Sequence, residues 1–151
     1  MQANPACPTF EVRIPPDPSY ATNVRDAIIA FASLHGVFEA DREALLFAVG
    51  EALANALEHG APASDIRVML EIDETLIRAR IVDEGQGWRA IPSGYVHLPD
   101  PCAERGRGVA IMQRFMDLFE VQSTAGGGTV VSLGRFRRDR RPGDQERTAA
   151  S

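Results

Sequence analysis

The stretch FAVGEALANALEHG, residues 47–60, sets Glu51 and Asn55 four positions apart among alanines and closes on Gly60. Taken as a helix, it continues from Leu45 with Val49, Leu53 and Leu57 as one apolar arc, the side that should face a sheet. Glu51 and Asn55 then fall on the other side, together with Ala44 and Ala48. A solvated helix face ordinarily carries long charged side chains, whereas alanines leave room for something to approach. By themselves, a glutamate and an asparagine on a helix are common, and a solvated stripe accounts for them. Asp41 is the expected N-cap of this helix and Gly60 its stop.

The flanking segments decide the fold class. FEVRI (10–14) alternates Phe10, Val12 and Ile14 against Glu11 and Arg13, a short strand. PPDPS breaks it, and Ser19 is placed to cap a first helix running to about Leu34. DIRVMLEI (65–72) and TLIRARIVDEG (75–85) alternate as two further strands, with a hairpin turn at 73–75. GWRAIPSGYVHLPDPCAERG (87–106) has no clear periodicity and reads as a lid or binding loop, with Trp88 as its packing anchor. GVAIMQRFMDLF (108–119) places Val109, Met112, Phe115 and Phe119 at helical spacing, and EVQSTAGGGTVVSLGRF (120–136) reads as two strands around a glycine turn. The order predicts an α+β fold, a two-layer α/β sandwich with a mixed, mainly antiparallel sheet and helices on one face. One domain is expected over 1–137, followed by a charged tail over 138–151.

Composition narrows the chemistry. A chain of 151 residues, 44% hydrophobic and 25% charged, suits a single globular domain. No apolar run is long enough to span a membrane, and the N-terminus lacks a signal-peptide layout, so a cytoplasmic protein is expected. A net charge of −5 argues against direct nucleic-acid binding, although RFRRDRRPGDQER (135–147) is rich in arginine. Cys7 and Cys102 lack metal-ligand spacing and read as reduced thiols. All 16 basic residues are arginines. Without a lysine there is no P-loop, no protein-kinase fold and no Schiff-base chemistry.

Asp83 ends a strand on the same face as Ile77, Ala79 and Ile81, at the mouth of the apolar side, where a charge needs a donor. DEGQG follows, with Gly85 and Gly87 permitting close ligand approach. A carboxylate there is a fitting acceptor for the exocyclic amine of adenine, and an ordinary Asp–Gly turn explains the same few residues. Gly106 and Gly108 in ERGRGVAIM stand before a helix whose free N–H groups and dipole suit phosphate, with Arg105 and Arg107 adding charge, and a glycine hinge beneath a lid explains the same spacing equally well. GGGT (126–129) reads as a hairpin turn, which accounts for most of its role, and Thr129 is also placed to offer a hydroxyl to a bound base. His59 suits the C-terminal end of its helix, and His35 and His97 share no metal-binding spacing with it.

In order, EALANALEHG, DEGQG, GRG opening a helix and GGGT resemble the N, G1 and G2 boxes of the Bergerat-fold ATPases. Over roughly residues 10–136, the short length, the Glu51–Asn55 spacing and GVAIMQRFMD are similar to the anti-sigma-factor serine kinases. That resemblance implies ATP and Mg²⁺ as cofactors, with Asn55 on the metal and Glu51 as general base. Asp83 would take the adenine amine, Gly85, Gly87 and Thr129 would shape its pocket, and Gly106 and Gly108 would meet the phosphates beneath a closing ATP lid. It implies two partners: a STAS-domain anti-anti-sigma protein phosphorylated on serine, and a sigma factor or other target sequestered afterwards. A homodimer is implied by the resemblance alone. The lid lacks an alignable motif, and arginine stands between the glycines of ERGRG, where relatives often carry a small or apolar residue. A non-catalytic module that binds ATP or ADP and captures a partner is the alternative, separated from the kinase by its lack of need for Glu51. A detached histidine-kinase ATPase domain fits less well, since no histidine lies in a two-helix dimerisation segment.

Overall fold

Alternation in the strands and burial around α2 generate the architecture. The computed structural model describes residues 7–59, 64–84, 107–124 and 126–138. Its elements run β1 (Thr9–Ile14), α1 (Ala21–Leu34), α2 (Glu39–His59), β2 (Ile66–Ile72), β3 (Leu76–Asp83), α3 (Arg107–Phe115), β4 (Leu118–Ser123) and β5 (Thr129–Phe136). The strands form one five-stranded sheet in the order β1-β2-β3-β5-β4. All its pairings are antiparallel, wholly rather than mainly, because β5 enters between β3 and β4 against both. On β2, Ile66, Val68, Leu70 and Ile72 are buried, while Arg67, Met69 and Glu71 face the open side. Helices cover the first face: α1 touches β2, α2 lies over β3 and β5, and α3 reaches β4. Ile28, Leu45, Leu70, Ile77, Ile81 and Met112 fill the space between the layers.

α2 is buried over more of its circumference than its sequence implied. Ala44, Ala48, Ala52 and Ala56 are as buried as Leu45, Val49 and Leu53. The expectation that Ala44 and Ala48 share an open face with Glu51 is therefore corrected. Alanines at four-residue spacing let a neighbouring helix approach closely, and α3 packs along α2.

Three further boundaries differ. Ser19 does not cap α1: Asp17 accepts the Ser19 N–H and opens a 3₁₀ turn, Pro18–Tyr20, ahead of the helix. Asp41 does not cap α2, which starts at Glu39, its first helical bond running from Arg42 N–H to the Phe38 carbonyl. Instead Asp41 is buried and accepts from Arg135 Nε at 2.7 Å and from the Arg138 N–H at 2.8 Å. Phe119 belongs to β4 rather than to α3, because the chain turns at Asp117, whose carboxylate accepts the Phe136 N–H.

The 73–75 turn forms as read. Asp73 Oδ1 accepts the N–H groups of Thr75 and Leu76 at 2.7 and 2.6 Å. Arg137 stitches the end of β5 to this turn and to the end of α1, donating to the carbonyls of Asp73, His35 and Gly36. Gly60, the lid 87–106 and the tail from residue 139 lie outside the described residues. Among those described, no helix is long and apolar enough to cross a membrane.

Candidate functional site

Strand direction alone brings the candidate residues to one end of the molecule. β2 pairs Arg67 with Val82, so the start of β2 and the end of β3 coincide; α2 leads into that start. The C-terminal half of α2, with Glu51 and Asn55, is thus at the Asp83 end of the sheet. β5 begins there too, since Thr129 lies directly opposite Asp83. α3 ends at the far edge, where the Phe115 carbonyl accepts from Arg135, so its first turn with Arg107 and Gly108 points back to the same end.

Asp83 and Thr129 are both buried on the helix-covered face, at 5% and 1% exposure. Asp83 ends the inward row Ile77–Ala79–Ile81, and Thr129 begins the inward row that continues through Val131 and Leu133. Thr129 Oγ1 has no hydrogen-bond partner among the described residues. A buried hydroxyl left so costs about 1–3 kcal/mol, which a ligand with a polar edge would recover.

The preceding turn crowds this pair. Thr124 Oγ1 accepts the Gly128 N–H at 2.9 Å, and Gly127 adopts φ +87. A methyl group built on Gly128 would overlap the Asp83 carbonyl and lie 2.9 Å from Glu84 Cα. Of the three glycines in GGGT, Gly128 is therefore the one that lets β5 close on β3. The run of glycines in the sequence marks a turn but does not distinguish them.

Glu51 and Asn55 are half-buried, about 6 Å apart along the helix axis. Both stand at the border between the buried arc and the solvent stripe of α2. A carboxylate there can take a proton, and a carboxamide oxygen is a hard donor suited to Mg²⁺. The first turn of α3 offers N–H groups of the kind that hold phosphate. Glu51, Asn55, Asp83, Thr129 and this first turn all lie toward this one end, whereas Gly85, Gly87, Arg105 and Gly106 lie outside the described residues.

Residues 14–135 match the model of the histidine kinase-like ATPase domain. The chain belongs to that family. The ATP-binding fold follows for this chain. Within the family, it is similar to the serine-protein kinase RsbW of Bacillus pumilus, 30% identical over 84% of this chain and 85% of that one. The anti-sigma F factor of Clostridium beijerinckii is 35% identical over 57% of this chain and 64% of that protein. A crystal structure of the RsbU and RsbW domains of a Mycobacterium tuberculosis protein shares the fold, with a TM-score of 0.65 at 20% identity. That likeness covers 87% of this chain and 33% of the larger one. This family member therefore groups with the RsbW serine-protein kinases and the anti-sigma F factors of the Bergerat fold.

Proposed function

We propose that this chain is an ATP-dependent protein-serine kinase and anti-sigma factor of a bacterial partner-switching module. The observation that carries it is the buried pair Asp83–Thr129, with a threonine hydroxyl unsatisfied among the described residues, at the same end of the sheet as the C-terminal half of α2 with Glu51 and Asn55. Asp83 accepts the adenine amine, and the Thr129 hydroxyl satisfies itself on the polar edge of the base. Asn55 would hold Mg²⁺, which would supply neutralisation of phosphate charge. The first turn of α3 receives the phosphates on its N–H groups.

Glu51 acts as general base. It accepts the proton of the acceptor serine as that oxygen bonds to the γ-phosphorus and the bond to the β-phosphate oxygen breaks. Phosphoserine and ADP result. The acceptor is a STAS-domain anti-anti-sigma protein, and its phosphorylation frees the kinase to sequester a sigma factor or another target. The relatives named as RsbW kinases and anti-sigma F factors support this assignment.

The test is transfer from γ-labelled ATP, with Mg²⁺, to STAS-domain proteins of the same genome. Wild type labels a serine. Glu51→Gln keeps ATP binding and loses about 10²–10⁴ in rate, whereas Asp83→Asn loses ATP binding. Undiminished transfer by Glu51→Gln removes the base assignment; no binding of ATP by wild type removes the nucleotide site.

A further inference from the structure

The uncovered face of the sheet holds a cavity of about 570 Å³, lined by Arg13, Ser64, Asp65, Arg67, Val82 and Glu84. Register explains its floor. Arg13 lies opposite Arg67 and Arg67 opposite Val82, so three strands bring these side chains into one row. Val82 and Glu84 flank Asp83 in sequence. Side chains alternate along β3, so the cavity is on the other side of that strand from the buried Asp83–Thr129 pair.

The charges around it are sorted by sign rather than paired off. The Arg13 and Arg67 guanidiniums share a single oxygen of Glu11, at 3.4 and 4.0 Å. Both distances exceed the roughly 2.7–2.9 Å of a charge-assisted hydrogen bond. Arg13 spends one N–H there and Arg67 none, so most of their donors are unspent among the described residues. Asp65 and Glu84 stand two residues farther along β2 and β3, about 7 Å on. Neither makes an ion pair among the described residues. One wall is thus cationic and the other anionic. Two guanidiniums against three carboxylates, Glu11 included, leave one net negative charge.

We infer that this cavity is a site for a free basic amino acid, with lysine as the type. Its carboxylate meets the Arg13 and Arg67 guanidiniums, whose planar forks suit that group. Its four-carbon stem crosses over Val82 to the acidic wall, where the side-chain ammonium meets Asp65 and Glu84. The α-ammonium is left to the Ser64 hydroxyl and water. Such a ligand carries one net positive charge, which cancels that of the cavity. An acidic amino acid would bring a second carboxylate against Asp65 and Glu84, and a neutral one would leave that wall without a partner. The inference does not rest on the kinase assignment.

The experiment is calorimetric titration of the full chain with L-lysine, L-norleucine and cadaverine at about 0.15 M salt. Norleucine lacks the side-chain ammonium and cadaverine lacks the carboxylate, so each analogue removes one pole. Lysine binds with a Kd below about 1 mM, and both analogues bind about tenfold more weakly or worse. Arg67→Gln and Glu84→Gln each weaken lysine by a similar factor. Arg78→Gln, on the same face but outside the cavity, leaves lysine binding unchanged. None of the three side chains is buried, so the variants keep the fold, which thermal melting checks. Absence of lysine binding, equal binding of either analogue, or lysine binding undiminished in Arg67→Gln overturns the inference. ATP titrated into the same samples reports the nucleotide site separately, so each reading fails on its own measurement.

Discussion

Replacing Asp41 tests the packing that holds the helical layer to the sheet. Its Oδ1 accepts from Arg135 Nε at 2.7 Å, its Oδ2 accepts the Arg138 N–H at 2.8 Å, and Arg138 Nη1 stands 3.8 Å from Oδ1. Arg135 in turn donates from Nη1 to the Phe115 carbonyl at 2.7 Å, capping the end of α3. Asp41 and Arg135 are both buried. One carboxylate therefore ties α2 to β5, and through Arg135 to α3. In Asp41→Ala the guanidinium stays out of water with a single neutral acceptor, which costs about 3–5 kcal/mol. That is a large share of the roughly 5–15 kcal/mol that holds a domain folded. Urea unfolding followed by circular dichroism measures it, with Arg135→Met and the double substitution completing a thermodynamic cycle. The double variant recovers most of the loss, because no charge is left stranded. The pair lies at the sheet end opposite Asp83, so ATP affinity holds in Asp41→Ala under native conditions. A loss below about 1 kcal/mol, or additive single losses, would refute the reasoning, since a buried charge left by its partner cannot be cheap.

Three other substitutions have definite outcomes. Gly128→Ala forces a methyl group against the Asp83 carbonyl and Glu84 Cα, so it pushes β5 from β3, lowers Tm and abolishes ATP binding; a calorimetric titration matching wild type would contradict this. Thr129→Val removes a buried hydroxyl that has no partner among the described residues, so the nucleotide-free protein gains about 1 kcal/mol while ATP affinity falls. Destabilisation of the same size in urea would mean the fold itself satisfies that hydroxyl. Asp73 is partly buried, which pushes its carboxyl up, but the Thr75 and Leu76 amides, the Thr75 hydroxyl and the Arg78 charge outweigh this and hold it below the ordinary carboxylate value. Its contribution to stability is therefore full above the ordinary carboxylate value and is lost as pH falls through the lowered one. Asp73→Asn flattens that acid limb, read as the urea midpoint against pH.

Most of the sheet was legible because its code is local. In β2 and β3, residues alternate between a covered and an open face, and Asp83 at the inner end of such a row marks a polar position in an apolar series. The errors lie where distant residues decide. Asp41 looks like a cap because aspartate suits that role, but Arg135, 94 residues later, recruits its carboxylate and the helix starts earlier. Phe119 continues a helical spacing and also starts a strand alternation with Val121, and the Asp117 turn chooses the strand. Ala44 and Ala48 look solvent-facing when α2 is considered alone. Their burial depends on α3, whose approach no window around α2 contains.

The inner face of the sheet thus carries polar side chains at both ends and apolar ones between. At one end Arg135 is fully engaged, with Asp41 and the Phe115 carbonyl as its acceptors. At the other, Thr129 is buried beside Asp83 with its hydroxyl unsatisfied among the described residues. Both belong to β5 and point the same way, six residues apart, so the contrast is not one of strand or of depth. A buried polar group is tolerated when it is satisfied, and an orphan calls for a partner, a bound ligand being the one the proposed function supplies. The engaged end fixes the three helical and strand termini that meet there, and the other end is where the proposed function places the groups of α2, α3 and the β3–β5 pair that meet a ligand. Stability and binding are in this way assigned to opposite ends of one strand, which is why Asp41→Ala and Thr129→Val are expected to move them separately.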